Sequence, residues 1–255
     1  MNSVLVTGAS SGIGRATAEH LRDRGWSVLA GVRAAADAPD GCEAVELDLT
    51  DVRWQPRPLD AAVLNAGIAL SGPLEFVPVE ELRNQFEVNV IGQVALLQAL
   101  LPALRESRGR IVLMGSVSGR LALPFLGPYA ASKFALEAVA DSLRGEVEPF
   151  GISVSLVQPG SIATPMWRKG GERAANLPEE AVRLYGPAIA GLRAGAAKRG
   201  AVTPASDVAA VVEHALTAER PRTRYVVGDG ARTRTLLGRV PDRARDRLLG
   251  RLIRG

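Results

Sequence analysis

Short apolar, β-branched runs alternate along this chain with longer stretches of helical periodicity, and that alternation constrains the fold more than any other feature. The runs at Ser3–Val6, Ser27–Val32, Ala44–Leu47, Ala61–Leu64, Arg110–Met114, Ser153–Val157 and Tyr225–Val227 read as strands. Most lack the in–out polar alternation of a half-exposed strand, as strands covered on both faces do. Helical patterns at Gly12–Arg24, Val79–Ser107, Tyr129–Glu148, Ser206–Ala218 and Thr233–Leu252 lie between or after them. Strand, crossover helix and returning parallel strand make a βαβ unit. The expected class is α/β, a doubly wound parallel sheet of about seven strands with helices on both faces.

The chain has 255 residues, a length that suits one α/β domain over residues 1–255. Hydrophobic residues make up 47% and charged residues 23%, enough apolar surface for a core without covalent staples. Cys42 is the single cysteine, and only His20 and His214 join it, so no internal disulfide is available and no metal site with recognisable ligand spacing is expected. Met1 and Asn2 lead almost directly into Val4-Leu5-Val6 without the charge and length pattern of a leader, so a cytoplasmic location is expected. The longest apolar stretch, Val94–Leu104, is interrupted by Gln98 and Pro102 and falls short of the roughly 20 residues a bilayer needs. The net charge of +4 is modest and aromatics are only 4%, which argues against nucleic acid as a partner.

Immediately after the first strand comes Thr7-Gly8-Ala9-Ser10-Ser11-Gly12-Ile13-Gly14. A helix opening there would direct unsatisfied N–H groups and the positive end of its dipole at a pyrophosphate, and glycines would let the backbone approach it closely. In such folds an acid at the end of the second strand holds a ribose 2′-hydroxyl, whereas an arginine accommodates a 2′-phosphate. Here the second strand ends Gly31-Val32-Arg33 with no acid before Asp37, so NADP(H) is favoured over NAD(H), with Arg33 facing the phosphate.

Tyr129 and Lys133 stand four residues apart, on one face of the helical pattern that continues through Phe134, Leu136 and Val139. A free tyrosine titrates near pH 10, too high for efficient proton transfer at neutrality, and an adjacent ammonium would lower that value. Ser116 follows the strand Arg110–Met114, at the carboxyl end where open α/β sheets bind ligands.

Taken together, the glycine loop and the order and spacing of Ser116, Tyr129 and Lys133 resemble the short-chain dehydrogenase/reductase family, a Rossmann-type fold. The resemblance implies that Asn89, in Asn89-Val90-Ile91-Gly92, completes a catalytic tetrad by holding a water that links the lysine to solvent. It further implies that Ser116 and Tyr129 contact the substrate oxygen and that Lys133 bonds the nicotinamide ribose. Cofactor contacts are expected from Gly8, Ser10, Ser11, Gly12, Ile13, Gly14, Arg33, Asp48, Leu49, Asn65, Ala66, Gly67, Tyr129, Lys133, Pro159, Gly160, Ile162 and Thr164. Two departures stand out: Leu64-Asn65 replaces the family's double Asn, and Asp51–Asp60 is short for the helix normally found there.

The flanks of Tyr129 resemble the retinol and 17β-hydroxysteroid dehydrogenase branch, which implies a small apolar ketone or secondary alcohol as substrate. Leu121, Leu123, Phe125, Met166, Trp167 and Leu184 are candidate wall residues, and 161–200 is expected to form a variable lid. The arginines and leucines of 232–254 form an amphipathic helical extension suited to peripheral membrane contact or to packing on its own domain or a partner subunit. The family resemblance implies a homodimer or homotetramer. The competing reading is a nucleotide-binding sensor or scaffold on the same fold, against which the intact tetrad argues.

Overall fold

The computed structural model describes residues 2–166, 177–198 and 202–254. Seven parallel strands form its sheet: β1 (Ser3–Thr7), β2 (Ser27–Val32), β3 (Glu43–Glu46), β4 (Ala61–Leu64), β5 (Arg110–Met114), β6 (Ser153–Pro159) and β7 (Arg224–Val227). Their order is β3-β2-β1-β4-β5-β6-β7. The chain winds outward from β1 to β3 and then crosses back to start the other half at β4, which places the reversal of strand order between β1 and β4.

The two-residue period of the strands sorts the core into two layers. On one face Val4, Val6, Val28 and Ala30 meet Ala18 and Leu21 of α1 (Gly12–Asp23). On the other, Leu5, Leu29, Leu64, Ile111, Leu113 and Leu156 meet Leu96, Leu100 and Leu104 of α3 (Gly92–Ser107) and Ala140 and Leu143 of α4 (Gly127–Val147). Helix α2 (Val79–Phe86) precedes α3, while α5 (Glu179–Lys198), α6 (Ala205–Thr217), α7 (Ala231–Leu237) and α8 (Asp242–Arg254) follow α4. Val208, Val212 and Leu216 of α6 complete the first layer beside α1.

The structure corrects four expectations. The third strand starts one residue earlier than the apolar run Ala44–Leu47, because β3 is an edge strand, with Glu43, Ala44 and Glu46 exposed. The helical pattern Val79–Ser107 is not one α-helix: a π-helical stretch, Glu87–Ile91, separates α2 from α3. By length and apolarity this span would cross a bilayer, yet Leu96, Leu97, Leu100 and Leu104 of α3 are buried in the layer beneath the sheet. The C-terminal pattern 233–252 is two helices, since Pro241 has no N–H with which to continue the ladder. Helix α5 lies within 161–200, where no helical pattern is read and where the family resemblance implies a lid.

Between β3 and β4 the short stretch noted above forms no helix, and Val52, Trp54 and Leu59 cover the second layer there instead. At the C-terminus α8 packs against α5, with Leu249 buried. Gly25 and Gly151 take left-handed conformations after α1 and after the turn that follows α4, as their positions demanded.

Leu113 is fully buried at the centre of the sheet. Leu113→Ala is expected to lower the unfolding free energy by about 2–5 kcal/mol, read from the midpoint of a urea or guanidinium titration.

Candidate active site

A cleft of about 980 Å³ opens at the carboxyl ends of the strands. The glycine loop forms one part of its wall and excludes side chains by its own geometry. Gly8 and Gly12 have φ of +67° and +58°, and a Cβ on Gly8 would lie 2.9 Å from the Ala66 Cα. Gly14 does not line the cleft. It packs beneath the loop, where a Cβ would lie 2.2 Å from the Gly8 carbonyl oxygen. Ser11 caps α1 without a side-chain hydrogen bond, so the first-turn N–H groups keep no side-chain cap at this wall. A bare backbone cradle at a helix N-terminus fits a dinucleotide's pyrophosphate.

With the exceptions of Gly14 and Asn89, every residue expected to contact the cofactor or to belong to the tetrad lines this cleft. Arg33 is exposed at the end of β2, close enough to Asp48 for its charge to help hold that carboxyl low. The larger cause is Thr50, whose N–H and hydroxyl both donate to Asp48 Oδ1 at 2.8 Å. Asn65 donates from Nδ2 to the Thr7 carbonyl at 2.9 Å and so ties the ends of β1 and β4 across the strand-order reversal.

Ser116, Tyr129 and Lys133 come together from two elements. Ser116 follows β5 and caps the turn Val117–Gly119, its Oγ accepting from Ser118 N–H at 3.0 Å. Tyr129 and Lys133 project from the first turns of α4, both buried, and the Tyr129 hydroxyl is hydrogen-bonded to Ser116. The Lys133 ammonium lies 5.7 Å from the centre of the Tyr129 ring and donates to the Met114 carbonyl at 2.8 Å.

Burial reverses the balance expected from sequence. Desolvation pushes the Tyr129 phenol up to about 12, and the Ser116 hydrogen bond only moderates this. The same desolvation brings the Lys133 ammonium down to about 8. Lys133 alone therefore does not pull Tyr129 below its ordinary value.

Asn89 lies behind the cleft, fully buried, in the π-helical stretch. Its Oδ1 accepts from Ile68 N–H at 2.8 Å, and its Nδ2 donates to the Ile68 carbonyl at 2.9 Å and to Ser132 Oγ at 3.1 Å. Two further carboxamides, missed in the sequence reading, continue this pattern four residues to either side. Gln85 accepts from Leu70 N–H and donates to the Ile68 carbonyl, each at 2.7 Å, while Gln93 donates to the Ala66 carbonyl at 2.5 Å. In an α-helix each fourth residue drifts by about 40° around the axis, and the wider π turn takes part of that drift back. Three amides at a spacing of four, Gln85, Asn89 and Gln93, were the available signal.

Glu137, one turn beyond Lys133, is a second missed residue. Buried itself, it accepts from Gln158 and pairs with Arg120 at 2.9 Å and Arg224 at 3.0 Å, joining the serine turn, β6 and β7 to α4.

The remaining wall is largely apolar, with Leu121, Leu123, Phe125 and Met166 placed as expected. Leu184 is not part of it: it is 48% exposed on the outer side of α5. Trp167 lies outside the described residues. Tyr185 of α5 donates to Glu75 Oε2 at 2.6 Å and meets Phe76 and Phe125 edge-on at 6.1 and 6.0 Å, which fastens α5 to the rim.

Between about 8 and the ordinary 10.5 of Lys133, the unfolded chain holds a proton that the folded chain has released. Stability relative to Lys133→Met therefore rises with pH across that window. Tyr129 acts in the opposite sense only above its ordinary value of 10, where the unfolded phenol ionises first. Thermal unfolding of both proteins without cofactor at about pH 7 and about pH 9.5 checks this, with the wild type expected to gain on the variant at the higher pH.

The family described as short chain dehydrogenase matches residues 2–175. Over 251 residues the chain is 38% identical to 3-amino-tetrahydro-pyrrolizinone reductase of Xenorhabdus hominickii, covering 90% of this chain and 88% of that protein. It is 34% identical to NADPH-dependent 3-dehydrocapnine reductase of Ornithobacterium rhinotracheale, covering 97% and 96%. A solved structure of a short chain dehydrogenase from Burkholderia cenocepacia J2315 in complex with NADP superposes with a TM-score of 0.75 at 26% identity, covering 99% and 97%. A glycine cradle at the strand-order reversal, a buried Ser116–Tyr129–Lys133 cluster and these matches lead to one conclusion: the chain belongs to the short-chain dehydrogenase/reductase family of nicotinamide-dependent oxidoreductases.

Proposed function

We propose that this protein is an NADP(H)-dependent oxidoreductase that interconverts a ketone and a secondary alcohol on an otherwise apolar substrate. The observation that carries this reading is the contact between Ser116, Tyr129 and Lys133 on the wall of the same cleft as the glycine cradle. The bound nicotinamide supplies or accepts the hydride. Gly8, Ser10, Ser11, Gly12 and Ile13 would hold its pyrophosphate, Arg33 the 2′-phosphate, and Asp48, Leu49 and Asn65–Gly67 the adenosine side. Pro159, Gly160, Ile162 and Thr164 line the nicotinamide side in the same proposal.

In the direction of reduction, Ser116 orients the carbonyl oxygen and Tyr129 donates its proton to it. A phenol held near 12 stays protonated at neutral pH, the form that direction needs. For alcohol oxidation the phenol must give up its proton, and positive charge beside it favours that form. Lys133 supplies part of that charge below about pH 8. The Gln85–Asn89–Gln93 ladder keeps the 66–70 backbone from shifting against the cofactor, and Asn89 reaches the same turn of α4 through Ser132, whose Oγ donates to the Tyr129 carbonyl at 2.8 Å. The same proposal includes a cytoplasmic dimer or tetramer, for which exposed Ile91 and Phe134 on the outer surface of the second layer are suitable contacts.

Tyr129→Phe keeps the ring and removes the proton. It is expected to retain NADPH affinity, followed by nicotinamide fluorescence, while turnover of a ketone panel falls by about 10²–10⁴-fold. Undiminished turnover in this variant would contradict the assignment.

Arg33→Asp places an acid where a 2′-hydroxyl would be held. The ratio of NADPH to NADH affinity is expected to fall by about tenfold or more, since a charge-assisted phosphate contact is lost and a repulsive one gained. An unchanged ratio in parallel titrations would remove Arg33 from the cofactor site.

A further inference from the structure

The chain's excess positive charge is concentrated in residues 232–254, which hold eight arginines against two aspartates, a net +6. The whole chain carries +4, so the other residues together are net −2. Both aspartates of the segment lie against a single arginine: Arg245 pairs with Asp242 at 2.9 Å and approaches Asp246 to 3.7 Å. Arg232 on α7, Arg239 in the link that follows, and Arg243 and Arg247 on α8 are exposed, and none of their guanidiniums is hydrogen-bonded or ion-paired with a described residue. Like charges on so short a stretch repel one another, and an anionic partner relieves that repulsion.

The leucines of the same segment divide between inside and outside. Leu249 is buried where α8 packs on α5, so part of the amphipathic stripe already serves the domain itself. Leu236 and Leu248 are 60% and 44% exposed. At about 3.6 residues per turn Arg243 and Arg247 point away from Leu249, with Ala244 and Leu248 beside them, and Arg232 and Leu236 stand one turn apart on α7. Both helices border the cleft. Helix α7 contributes Arg234, bonded to Ser161 Oγ at 3.3 Å, to its wall, and α5, on which α8 packs, contributes Ile189 and Leu192.

We propose that the segment 232–248 docks the protein on an anionic lipid bilayer, with Arg232, Arg239, Arg243 and Arg247 among the headgroup phosphates and Leu236 and Leu248 at the acyl boundary. The interleaving of exposed cations with exposed leucines selects this occupant. A second copy in a two-fold contact would set +6 against +6. A nucleic acid backbone would satisfy the arginines but offers nothing apolar to the leucines, and residues 232–254 contain no aromatic side chain to stack on bases. A bilayer surface offers negative charge and, just beneath it, hydrocarbon. The inference does not depend on the reductase reading, which it complements: a bilayer is where an apolar ketone dissolves, and the docked segment borders the cleft.

Vesicle co-sedimentation tests this, with phosphatidylcholine alone and with phosphatidylglycerol as about a third of the lipid. The intact protein is expected to pellet with the anionic vesicles at about 0.1 M salt and to be largely released at about 0.5 M, where screening shortens the reach of the attraction. Each arginine near such a surface contributes about fivefold to partitioning, so Arg243→Glu/Arg247→Glu is expected to weaken binding by at least about 25-fold. Leu236→Ser/Leu248→Ser is expected to weaken it by about fivefold or more. All four positions are exposed, and an unchanged thermal unfolding midpoint shows that each variant folds. Protein left in the supernatant with anionic vesicles, or binding that survives the arginine reversals, overturns the proposal. So does binding that is indifferent to the leucine pair and matched by retention on duplex DNA, which would make the segment a general polyanion site. A dimer seen by light scattering that the leucine pair dissolves, without vesicle binding, would assign the surface to a second copy instead.

Discussion

The reversal of strand order between β1 and β4 is the constraint on which the rest of this structure depends. Two neighbouring parallel strands whose crossovers leave in opposite directions cannot both be covered at their carboxyl ends, so a crevice opens there. The loops of the candidate site are brought to that edge: the glycine loop after β1, Arg33 after β2, Asn65 after β4, Ser116 after β5 and Pro159-Gly160 at the end of β6. Asn65 bonds the Thr7 carbonyl across the reversal itself, so the crevice is closed at its base by a side chain where no strand hydrogen bond runs.

Burial governs the site's electrostatics more than pairing does. Tyr129 and Lys133 are both removed from water, and desolvation drives their protonation equilibria toward neutral forms, the phenol up and the ammonium down. The phenol of the pair therefore keeps its proton at neutral pH. Charge on a bound partner is then worth more than it would be at an open surface, because the same low-dielectric surroundings strengthen any interaction it makes. The cost of holding polar groups in this interior is offset by pairing them, although Gln93 Oε1 has no hydrogen-bond partner among the described residues. Gln85 and Asn89 bond the backbone of 68–70 through both ends of their amides, Gln93 bonds Ala66, and Glu137 gathers Gln158, Arg120 and Arg224.

Much of this was legible in the sequence because it is local. A run such as Val4-Leu5-Val6 announces a buried strand, and Gly8, Gly12 and Gly14 announce a turn in which side chains have no room. The four-residue step from Tyr129 to Lys133 places both on one helical face. The family resemblance pointed to Ser116, which lines the cleft, and to Asn89, which lies buried behind it. What escaped were features that depend on distant partners. The π turn at Glu87–Ile91 arises because Gln85, Asn89 and Gln93 must meet a backbone segment about twenty residues away, and helical periodicity contains no trace of that segment. Leu184 was expected in the wall because it is apolar, but helix α5 turns it to solvent and turns Tyr185 toward the rim instead.

The sequence by itself determined the class of sheet, the glycine loop, the spacing of Tyr129 and Lys133 and the absence of an acid at the end of β2, since each is written in neighbouring residues and the short-range geometry of strands and helices. Only the tertiary structure decided how those groups behave. The desolvation of Tyr129 and Lys133, the bonds that hold the 66–70 backbone and the arrival of Arg234 beside Ser161 from more than seventy residues downstream all depend on which elements pack together. Local chain chemistry selects the parts, and long-range packing sets the dielectric and distances in which they act.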